Sequence, residues 1–484
     1  MTPAAVIATL TGYIALLFVV AWISGRRTDN AGFFTANRRT PWYLAAFAMV
    51  GAAMSGVTFI SVPGSVAADS FSYMQMVAGF TVGQLIVAYL LVPTFYRLRL
   101  VSLYEYLDDR FGARTHAAGA WCFFVAKMLG TALQVYVVCT VMQLLVFDRY
   151  GLPFWLNAAV TMALVWLYTR QGGVRSLIRT DILKTCCLIA SLVLSILFIT
   201  RALGLSFGEM AREVAASPHS RILFLDDPAS DRYFWKMFVA GIVTLVAMTG
   251  LGQDMMQRNL SCKNFKDSQK NMITSVISQF FVILLFLMLG VLLYIFAANQ
   301  QIAVEKSDEL FPLIATGNYF PAIVGILFII GLISSAYSAA GSALTALTTS
   351  FTVDILGTKG KSEETVVKMR KKVHIGMAVV MGITIFVFNL LNNTSVIDAV
   401  YILASYTYGP ILGLFAFGIF MKQQVRDKYI PLVAIASPVL CFILQKNSEA
   451  WFGGYQFSYE LLIFNALFTF IGLCLLIKKD KKNN

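Results

Sequence analysis

Residues 50–63 read VGAAMSGVTFISVP and lie inside an apolar segment, residues 43–68, that is long enough to cross a membrane. Gly51, Gly56 and Pro63 weaken a continuous helix, and three hydroxyl side chains share the stretch. Main-chain groups without partners are tolerated at membrane depth only where protein or a cavity surrounds them. The stretch therefore predicts a helix that is broken inside the membrane, an arrangement typical of ion-binding sites.

The composition is that of a polytopic membrane protein. Of the 484 residues, 58% are hydrophobic and 13% are charged, which is too apolar for a soluble globular chain. Thirteen apolar segments of about 20 residues can be counted, each long enough for a bilayer core of about 30 Å. The sequence predicts an all-α fold with about 13 transmembrane helices embedded in a lipid bilayer.

The basic residues indicate how the chain crosses the membrane. The net charge is +13, but most of the 38 lysines and arginines fall on alternate loops, as a topology signal does, so no nucleic-acid partner is expected. Basic loops stay in the cytoplasm, which predicts an outside N-terminus and a cytoplasmic C-terminus in a plasma or inner membrane. The first apolar stretch lacks a basic leader and a cleavage motif, so it is expected to remain as a span.

Two of the predicted segments are interrupted in a similar way. The second is broken within residues 50–63, and the seventh, residues 235–257, contains Met248-Thr249-Gly250-Leu251-Gly252. They lie five segments apart, which is the pattern that two inverted five-helix repeats leave in a sequence. The alternative is that both glycine clusters only let neighbouring helices pack closely.

One face of the ninth segment, residues 321–351, carries hydroxyl groups. Ser335, Ser338 and Ser342 are spaced as i, i+3 and i+7, which places them on one side of a helix. A sodium ion prefers hard oxygen ligands, which hydroxyls and freed carbonyls supply. The alternative is that these serines bond back to their own helix or allow close packing.

Ionisable residues occur within or beside the apolar segments. Asp181 begins the sixth segment and Lys184 follows one turn later, so the two form a candidate second cation or proton site. The alternative is that Lys184 extends to the cytoplasmic interface and pairs with Asp181. Lys127, in the middle of the fourth segment, is expected to face a polar interior, either against a solute or against a structural partner. Asp254 and Arg258 are expected to clamp a helix end.

Motifs typical of enzymes are missing from the sequence. The loop GTKGKS at residues 357–362 lacks the spacing of a phosphate-binding loop, and neither G-x-S-x-G nor H-E-x-x-H is present. The cysteines and histidines show no pairing or metal-ligand pattern. No catalytic residue is assigned, and the chain is not expected to be an enzyme.

Four motifs, in this order, resemble those of the sodium:solute symporter family. They are LYEYLDDRF at residues 103–111, Gly172-Gly173 with Thr180-Asp181, Gln257-Arg258 followed by KNFKDSQ at residues 263–269, and SYTYGPILG at residues 405–413. The resemblance covers nearly the whole chain. It implies a leucine-transporter type of fold with ten core helices in two inverted five-helix repeats.

The resemblance also implies a division of the chain, which forms one membrane transport domain over residues 1–484. An extra first helix and an inner loop occupy residues 1–40. The first five-helix repeat occupies residues 41–272, with the turn into the second half beginning near residue 233, and the second repeat occupies residues 233–421. Two C-terminal helices and a basic cytoplasmic tail occupy residues 422–484.

A sodium site is implied at the broken helix. In the family its ligands are carbonyls of the first core helix and hydroxyls of the eighth, which match the carbonyls of Gly51, Met54 and Ser335 and the hydroxyl of Ser338. The second hydroxyl position is Ala339, so one ligand is missing, and water, Ser342 or Ser334 would replace it. Some relatives hold a second sodium at the aspartate that matches Asp181, together with Ser342. A lysine at position 184 argues against that second ion, and proton coupling is the alternative there.

The solute pocket is implied between the two broken helices. The positions that match solute-facing or gating residues of sugar and sialic acid carriers are Ser55, Thr58, Tyr73, Met248 and Thr249. Gln75, Gln134 and Lys127 are added as polar contacts. Val77, Gly130 and Ile402 stand where those carriers have polar ligands, so neither the hexose site nor the known sialic acid site is implied.

The function that the resemblance implies is secondary active transport. The chain is expected to import a small organic solute by sodium-coupled symport and alternating access, with Na⁺ as the co-transported ion and a monomer as the working unit. The alternatives are a proton-coupled transporter of the same fold and a membrane sensor that has lost transport.

Overall fold

The computed structural model describes residues 3–25, 38–98, 103–169, 174–304, 306–357, 361–391, 396–455 and 457–478. The parts of the predicted motifs and basic loops that lie outside the described residues are Gly172-Gly173, Arg26, Arg27, Arg99, Arg170, Lys359 and the tail from residue 479. Within the described ranges the chain is helical, and pairing of extended chain is limited to isolated bridges at Thr40–Cys262 and Val425–Ile477. The all-α prediction is confirmed.

Twenty-two α-helices follow one another along the described chain. The first eleven are α1 Pro3–Gly25, α2 Trp42–Ala53, α3 Gly56–Gly64, α4 Val66–Asp69, α5 Tyr73–Ile86, α6 Val92–Leu98, α7 Glu105–Arg110, α8 Ala113–Met142, α9 Phe154–Thr169, α10 Val174–Ala202 and α11 Phe207–Ala216. The others are α12 Phe234–Leu245, α13 Gln253–Asn259, α14 Phe265–Asn299, α15 Leu310–Thr316, α16 Ala322–Ser350, α17 Glu363–Leu391, α18 Val396–Thr407, α19 Gly409–Phe420, α20 Ile430–Lys446, α21 Ser448–Trp451 and α22 Leu461–Leu475.

Single π-helical and 3₁₀ turns extend several of these helices. The π-helical turns are Val87–Leu91, Gln143–Phe147, Val246–Gly250 and Phe351–Ile355. The 3₁₀ turns are Asp148–Tyr150, Pro218–Ser220, Ser307–Glu309 and Asp427–Tyr429. A π-helical turn inserts one extra residue into an α-helix, and such turns are often found at functional sites.

Apolar length identifies the helices that can cross a membrane. Within the described ranges, seven helical stretches are long and apolar enough, and two bent helix pairs raise the number to nine. Four shorter apolar helices, of 10–17 residues, occupy the other predicted segments. The fold is therefore that of a multi-pass membrane protein, and the number of thirteen spans stays a prediction.

The predicted break in the second segment is present. The axes of α2 and α3 differ by 58°, and Met54 and Ser55 between them are not helical. The ladder of α2 ends where the Met54 N–H donates to the Val50 carbonyl. The hydroxyl of Ser55 then accepts from the Thr58 N–H at 3.4 Å and so caps the start of α3.

The seventh segment is also broken, and a third break occurs that we did not predict from the sequence. The π-helical turn Val246–Gly250 is followed by Leu251 and Gly252, which are not helical, and α13 begins at Gln253. The third break separates α18 from α19 by 45°. Pro410 lies in the first turn of α19, where its missing N–H costs nothing. The division into two repeats, and the residue boundaries given above, stay predictions.

The long helix α16 organises the middle of the bundle. It packs against α8, α10 and α17 and also contacts both α2 and α3. Near the C-terminal end of α16, the side chain of His374 of α17 forms hydrogen bonds with Thr348 of α16 at 2.9 Å and with Thr169 of α9 at 3.1 Å. These two bonds join three helices. The hydroxyl-bearing face of α16 therefore lies directly beside the break between α2 and α3.

Candidate functional site

A cavity of about 160 Å³ lies beside the break between α2 and α3. It is surrounded by residues of α5, α8, α12, α13, α14, α16 and α18 as well as by the break itself. Its polar and charged lining residues are Ser55, Thr58, Tyr73, Gln84, Lys127, Gln134, Thr244, Thr249, Asp254, Arg258, Gln279, Ser338, Ser342, Tyr401 and Tyr408. A mixed polar and apolar lining of this kind suits a small solute with a few polar groups.

The structure brings two of the predicted sodium ligands together. The Ser335 hydroxyl donates to the carbonyl oxygen of Met54 at 3.1 Å, and both residues are buried. Met54 is the first residue beyond α2, so its carbonyl is free of the helical ladder on that side. The serine thus meets the broken helix at the place where the prediction puts a cation.

The other predicted sodium ligands on α16 have different surroundings. Ser338 donates to the Asp181 carboxylate, while Ala339 and Ser342 line the cavity. Ser334 donates to the carbonyl of Gly331 in its own helix at 3.0 Å and does not line the cavity. Of the two serines predicted as replacements for the hydroxyl that Ala339 lacks, Ser342 is the one that lines the cavity.

Gly51 was predicted to offer its carbonyl, and its α-carbon packs against α10. A Cβ atom added at Gly51 would lie 2.1 Å from the Thr185 hydroxyl and 2.9 Å from the Asp181 carbonyl. The same hydroxyl is 2.7 Å from the Asp181 carbonyl oxygen and 3.1 Å from that of Phe47. Gly51 therefore permits α2 and α10 to touch, and it does not line the cavity.

Asp181 forms a different ion pair from the one predicted. Its Oδ2 accepts from Arg258 Nε at 3.1 Å and its Oδ1 accepts from Ser338. The alternative in which Lys184 extends to the interface and pairs with Asp181 is wrong: the Lys184 residue is 1% exposed, and its Nζ has no hydrogen-bond partner among the described residues. The second cation or proton site at these two residues stays a prediction. The break after α12 brings α13, and with it Arg258, next to α10.

Lys127 has a structural partner and also lines the cavity. Its Nζ donates to Asp254 Oδ2 at 2.7 Å, and Arg258 lies 3.9 Å from the same carboxylate. The predicted clamp between Asp254 and Arg258 is thus one part of a larger group. We call Lys127, Asp181, Lys184, Asp254 and Arg258 the charge cluster; it holds three basic and two acidic side chains.

Seven of the eight predicted solute residues line the cavity, namely Ser55, Thr58, Tyr73, Lys127, Gln134, Met248 and Thr249. Gln75 does not, and its prediction as a solute contact is corrected. Its amide donates to the Arg232 carbonyl at 2.9 Å and accepts from the Phe224 N–H at 3.0 Å, so it anchors the segment between α11 and α12.

Tyr401 and Tyr408 line the cavity but were not predicted. The Tyr401 hydroxyl lies 2.7 Å from that of Tyr73, and the rings of Tyr73, Phe80 and Tyr401 are neighbours. Tyr408 lies at the break between α18 and α19, within the SYTYGPILG motif. The glycine and proline of that motif were the one available signal for this third break.

The sodium:solute symporter family profile matches residues 33–427. The chain is 25% identical to the sodium/iodide cotransporter of Homo sapiens over 434 residues, which cover 85% of the chain but only 65% of that protein. It is 24% identical to the sodium/sialic acid symporter SiaT of Proteus mirabilis over 444 residues, 86% of the chain and 84% of that protein.

Solved structures of related fold extend over almost the whole chain. A Na⁺-coupled sialic acid symporter in a substrate-bound outward-open state superposes with a TM-score of 0.82, at 20% identity, over 97% of both chains. The nucleobase-cation-symport-1 family transporter Mhp1 gives a TM-score of 0.55 at 13% identity, over 92% of this chain and 94% of that one. The leucine-transporter type of fold is confirmed, and the chain belongs to the sodium:solute symporter family.

Proposed function

We propose that the chain imports a small organic solute by sodium-coupled symport and alternating access. The relatives named above are sodium-coupled carriers of iodide and sialic acid, and others of similar identity carry monocarboxylates. The observation that carries the proposal is the bond between Ser335 and Met54, because it sets a hydroxyl and a freed carbonyl side by side at the helix break. We place the transporter in a plasma or inner membrane, as a monomer with its N-terminus outside and its C-terminus in the cytoplasm.

The proposed sodium ion binds between α2 and α16. The carbonyls of Met54, Gly51 and Ser335 and the hydroxyls of Ser338 and Ser342 are its candidate ligands, and Ala339 leaves the set one hydroxyl short. Hard cations take several oxygen ligands at once. A cation that contacts both helices binds more tightly to the conformation in which they touch than to one in which they are apart. This difference in affinity couples cation binding to a conformational change.

The proposed solute site is the cavity beside the break. Ser55, Thr58 and Thr249 offer hydroxyl groups, and Met248 and Tyr73 add apolar surface. The charged lining residues are Lys127, Arg258 and Asp254, two basic groups against one acidic group. This balance favours solutes with hydroxyl, carbonyl or carboxylate groups over cationic ones.

The driving force follows from the charge that moves. One Na⁺ that enters along an inward-negative membrane potential releases about 2.3 kcal/mol per 100 mV. For a neutral solute, that energy alone supports roughly 50-fold accumulation at 100 mV. The solute is moved without chemical change, so no catalytic residue is needed.

The decisive experiment measures uptake into proteoliposomes made with the purified chain. Labelled iodide, sialic acid, monocarboxylates, sugars and proline are supplied under an inward sodium gradient, and parallel vesicles contain choline in place of sodium. We expect one class to accumulate unchanged, only with sodium, and Ser338→Ala to raise the sodium concentration for half-maximal uptake. Sodium dependence that is identical in Ser338→Ala would remove Ser338 from the site.

A proton-coupled transporter of the same fold is the second candidate, and the buried ammonium of Lys184 favours it. An inward proton gradient without sodium separates the two. Accumulation under that gradient alone would replace sodium by protons as the coupled ion. Failure of both gradients to drive accumulation of any solute in the panel would favour the alternative of a membrane sensor that has lost transport.

A further inference from the structure

An apolar groove of about 410 Å³ runs along the outside of the bundle between α9 and α17. All of its lining residues are apolar or glycine, and several of them are more than half exposed, among them Trp155, Val379 and Ile383. Met162 and Gly382 form its floor, where the two helices approach each other. The groove is separate from the cavity beside the α2–α3 break, and the proposed transport cycle does not use it.

The length of the groove matches one leaflet of a bilayer. On α9 it extends from Trp155 to Trp166 and on α17 from Ile375 to Phe386. Eleven residues of helix rise about 16 Å, which is about half of the roughly 30 Å apolar core of a membrane. An extended acyl chain of a single leaflet therefore fits along it.

One end of the groove is basic. The groove-lining residues of α17 continue the helical spacing from Ile375 through Val379 and Ile383, and one turn before Ile375 the same face carries Lys371 and Lys372. Both lysines are exposed. The bond between Thr169 of α9 and His374 of α17 shows that the Trp166 end of α9 meets this basic end.

We propose that the groove binds an anionic phospholipid, with one acyl chain between α9 and α17 and the phosphate beside Lys371 and Lys372. Basic residues at the membrane surface attract anionic headgroups, and tryptophan is favoured at the same depth. On the proposed topology the lipid belongs to the cytoplasmic leaflet. A second copy of the chain is a poorer occupant, because two-fold contact through this groove would set Lys371 and Lys372 against their own symmetry mates.

The binding test uses the full chain in detergent and native mass spectrometry. Dioleoyl phosphatidylglycerol and dioleoyl phosphatidylcholine share acyl chains and differ in headgroup charge. We expect one phosphatidylglycerol to stay bound, with an affinity about tenfold or more above that of phosphatidylcholine, since each basic residue contributes severalfold. Lys371→Gln with Lys372→Gln should remove the preference, whereas Lys263→Gln with Lys266→Gln, two exposed lysines elsewhere, should keep it.

The acyl part is tested by filling the groove. A Cβ at Gly382 meets only Met162, at 3.6 Å, so Gly382→Leu fits and should abolish binding of both lipids. Gly376→Leu is the matched control, because nothing lies within 4 Å of a Cβ there. Ala159→Leu fills the same groove from α9, which covers the case in which Gly382→Leu misfolds.

Three outcomes would overturn the proposal. The first is equal affinity for the two lipids, and the second is unchanged lipid binding in both groove-filling variants. The third is a dimer of the parent chain in the mass spectrum that is absent from the spectra of the groove-filling variants. The last outcome would identify a second copy of the chain as the occupant. Neither sodium nor a transported solute is present in the measurement, so failure here is distinguishable from failure of the proposed symport.

Discussion

The hydroxyl of Ser335 donates to the carbonyl oxygen of Met54 at 3.1 Å, so α16 holds the residue at which α2 ends. Both residues are buried, and the contact joins positions 281 residues apart in the chain. Each oxygen keeps a lone pair after this bond is made. The pair can therefore face a cation while it fixes the geometry of the break.

The contact predicts a selective effect of Ser335→Ala. Loss of the hydroxyl that holds the Met54 carbonyl in place, a contact worth about 1 kcal/mol, should raise the sodium concentration for half-maximal uptake roughly fivefold. Ser334→Ala is the matched control, because that hydroxyl donates to a carbonyl of its own helix and not to the broken helix. Sodium titration of uptake in proteoliposomes measures both. An equal shift in the two variants would mean that α16 is disturbed generally.

Ala339→Ser should have the opposite effect. Ala339 lines the cavity next to Ser338, so a hydroxyl placed there supplies the ligand that the site lacks. We expect the half-maximal sodium concentration to fall roughly fivefold, by the same estimate for one polar contact. Ala346→Ser, two turns along the helix and outside the cavity lining, should leave it unchanged. A hydroxyl that does not lower the value would show that the ion lies elsewhere.

Local composition predicted the break of the second segment well. Gly51, Gly56 and Pro63 weaken the helix on both sides of Met54 and Ser55, although all three lie within α2 or α3, and Ser55 supplies a cap. Each of these effects is local, so no tertiary information was needed. The spacing of Ser335 and Ser338 likewise depends only on helical periodicity. These features of the site were therefore readable from the sequence.

The ion pairs were not readable in the same way. Asp181 and Arg258 are 77 residues apart, and their contact depends on the packing of α13 against α10 in the folded chain. Sequence spacing favoured the nearer partner, Lys184, which the fold leaves buried without a hydrogen-bond partner among the described residues. Gln75 was misplaced for a similar reason, since the loop that it anchors is remote in sequence.

The charge cluster predicts unequal costs for neutralising its members. Asp254→Asn leaves Lys127 and Arg258 facing a neutral amide in a buried site, so we expect a loss of about 3 kcal/mol of stability. Asp226→Asn is the control, because the pair of Asp226 with Arg221 is exposed and such pairs contribute at most about 1 kcal/mol. Thermal unfolding in detergent compares them. Similar unfolding midpoints would contradict the buried pairing.

The bond between Tyr73 and Tyr401 predicts non-additivity. Each hydroxyl is the partner of the other at 2.7 Å on the cavity wall, so Tyr73→Phe and Tyr401→Phe remove the same interaction. We expect each variant to change the solute concentration for half-maximal uptake by roughly threefold to tenfold, and the double variant to add little. Effects that multiply in the double variant would show that the two hydroxyls act separately, for example on the solute.

Lys184 predicts how many cations accompany each solute. Its ammonium is buried near Asp181 and Arg258, where a second Na⁺ would otherwise find a carboxylate. A unit charge about 6 Å from a cation costs it about 3 kcal/mol at an effective dielectric constant near 20, or about 100-fold in affinity. We therefore expect the number of Na⁺ ions transported per solute to be one in the parent chain and in Lys184→Arg. In Lys184→Gln we expect this number to rise towards two. Solute accumulation measured against graded sodium gradients gives the ratio. A ratio of one in Lys184→Gln would mean that Arg258, already bonded to Asp181, excludes the second ion without help from the lysine.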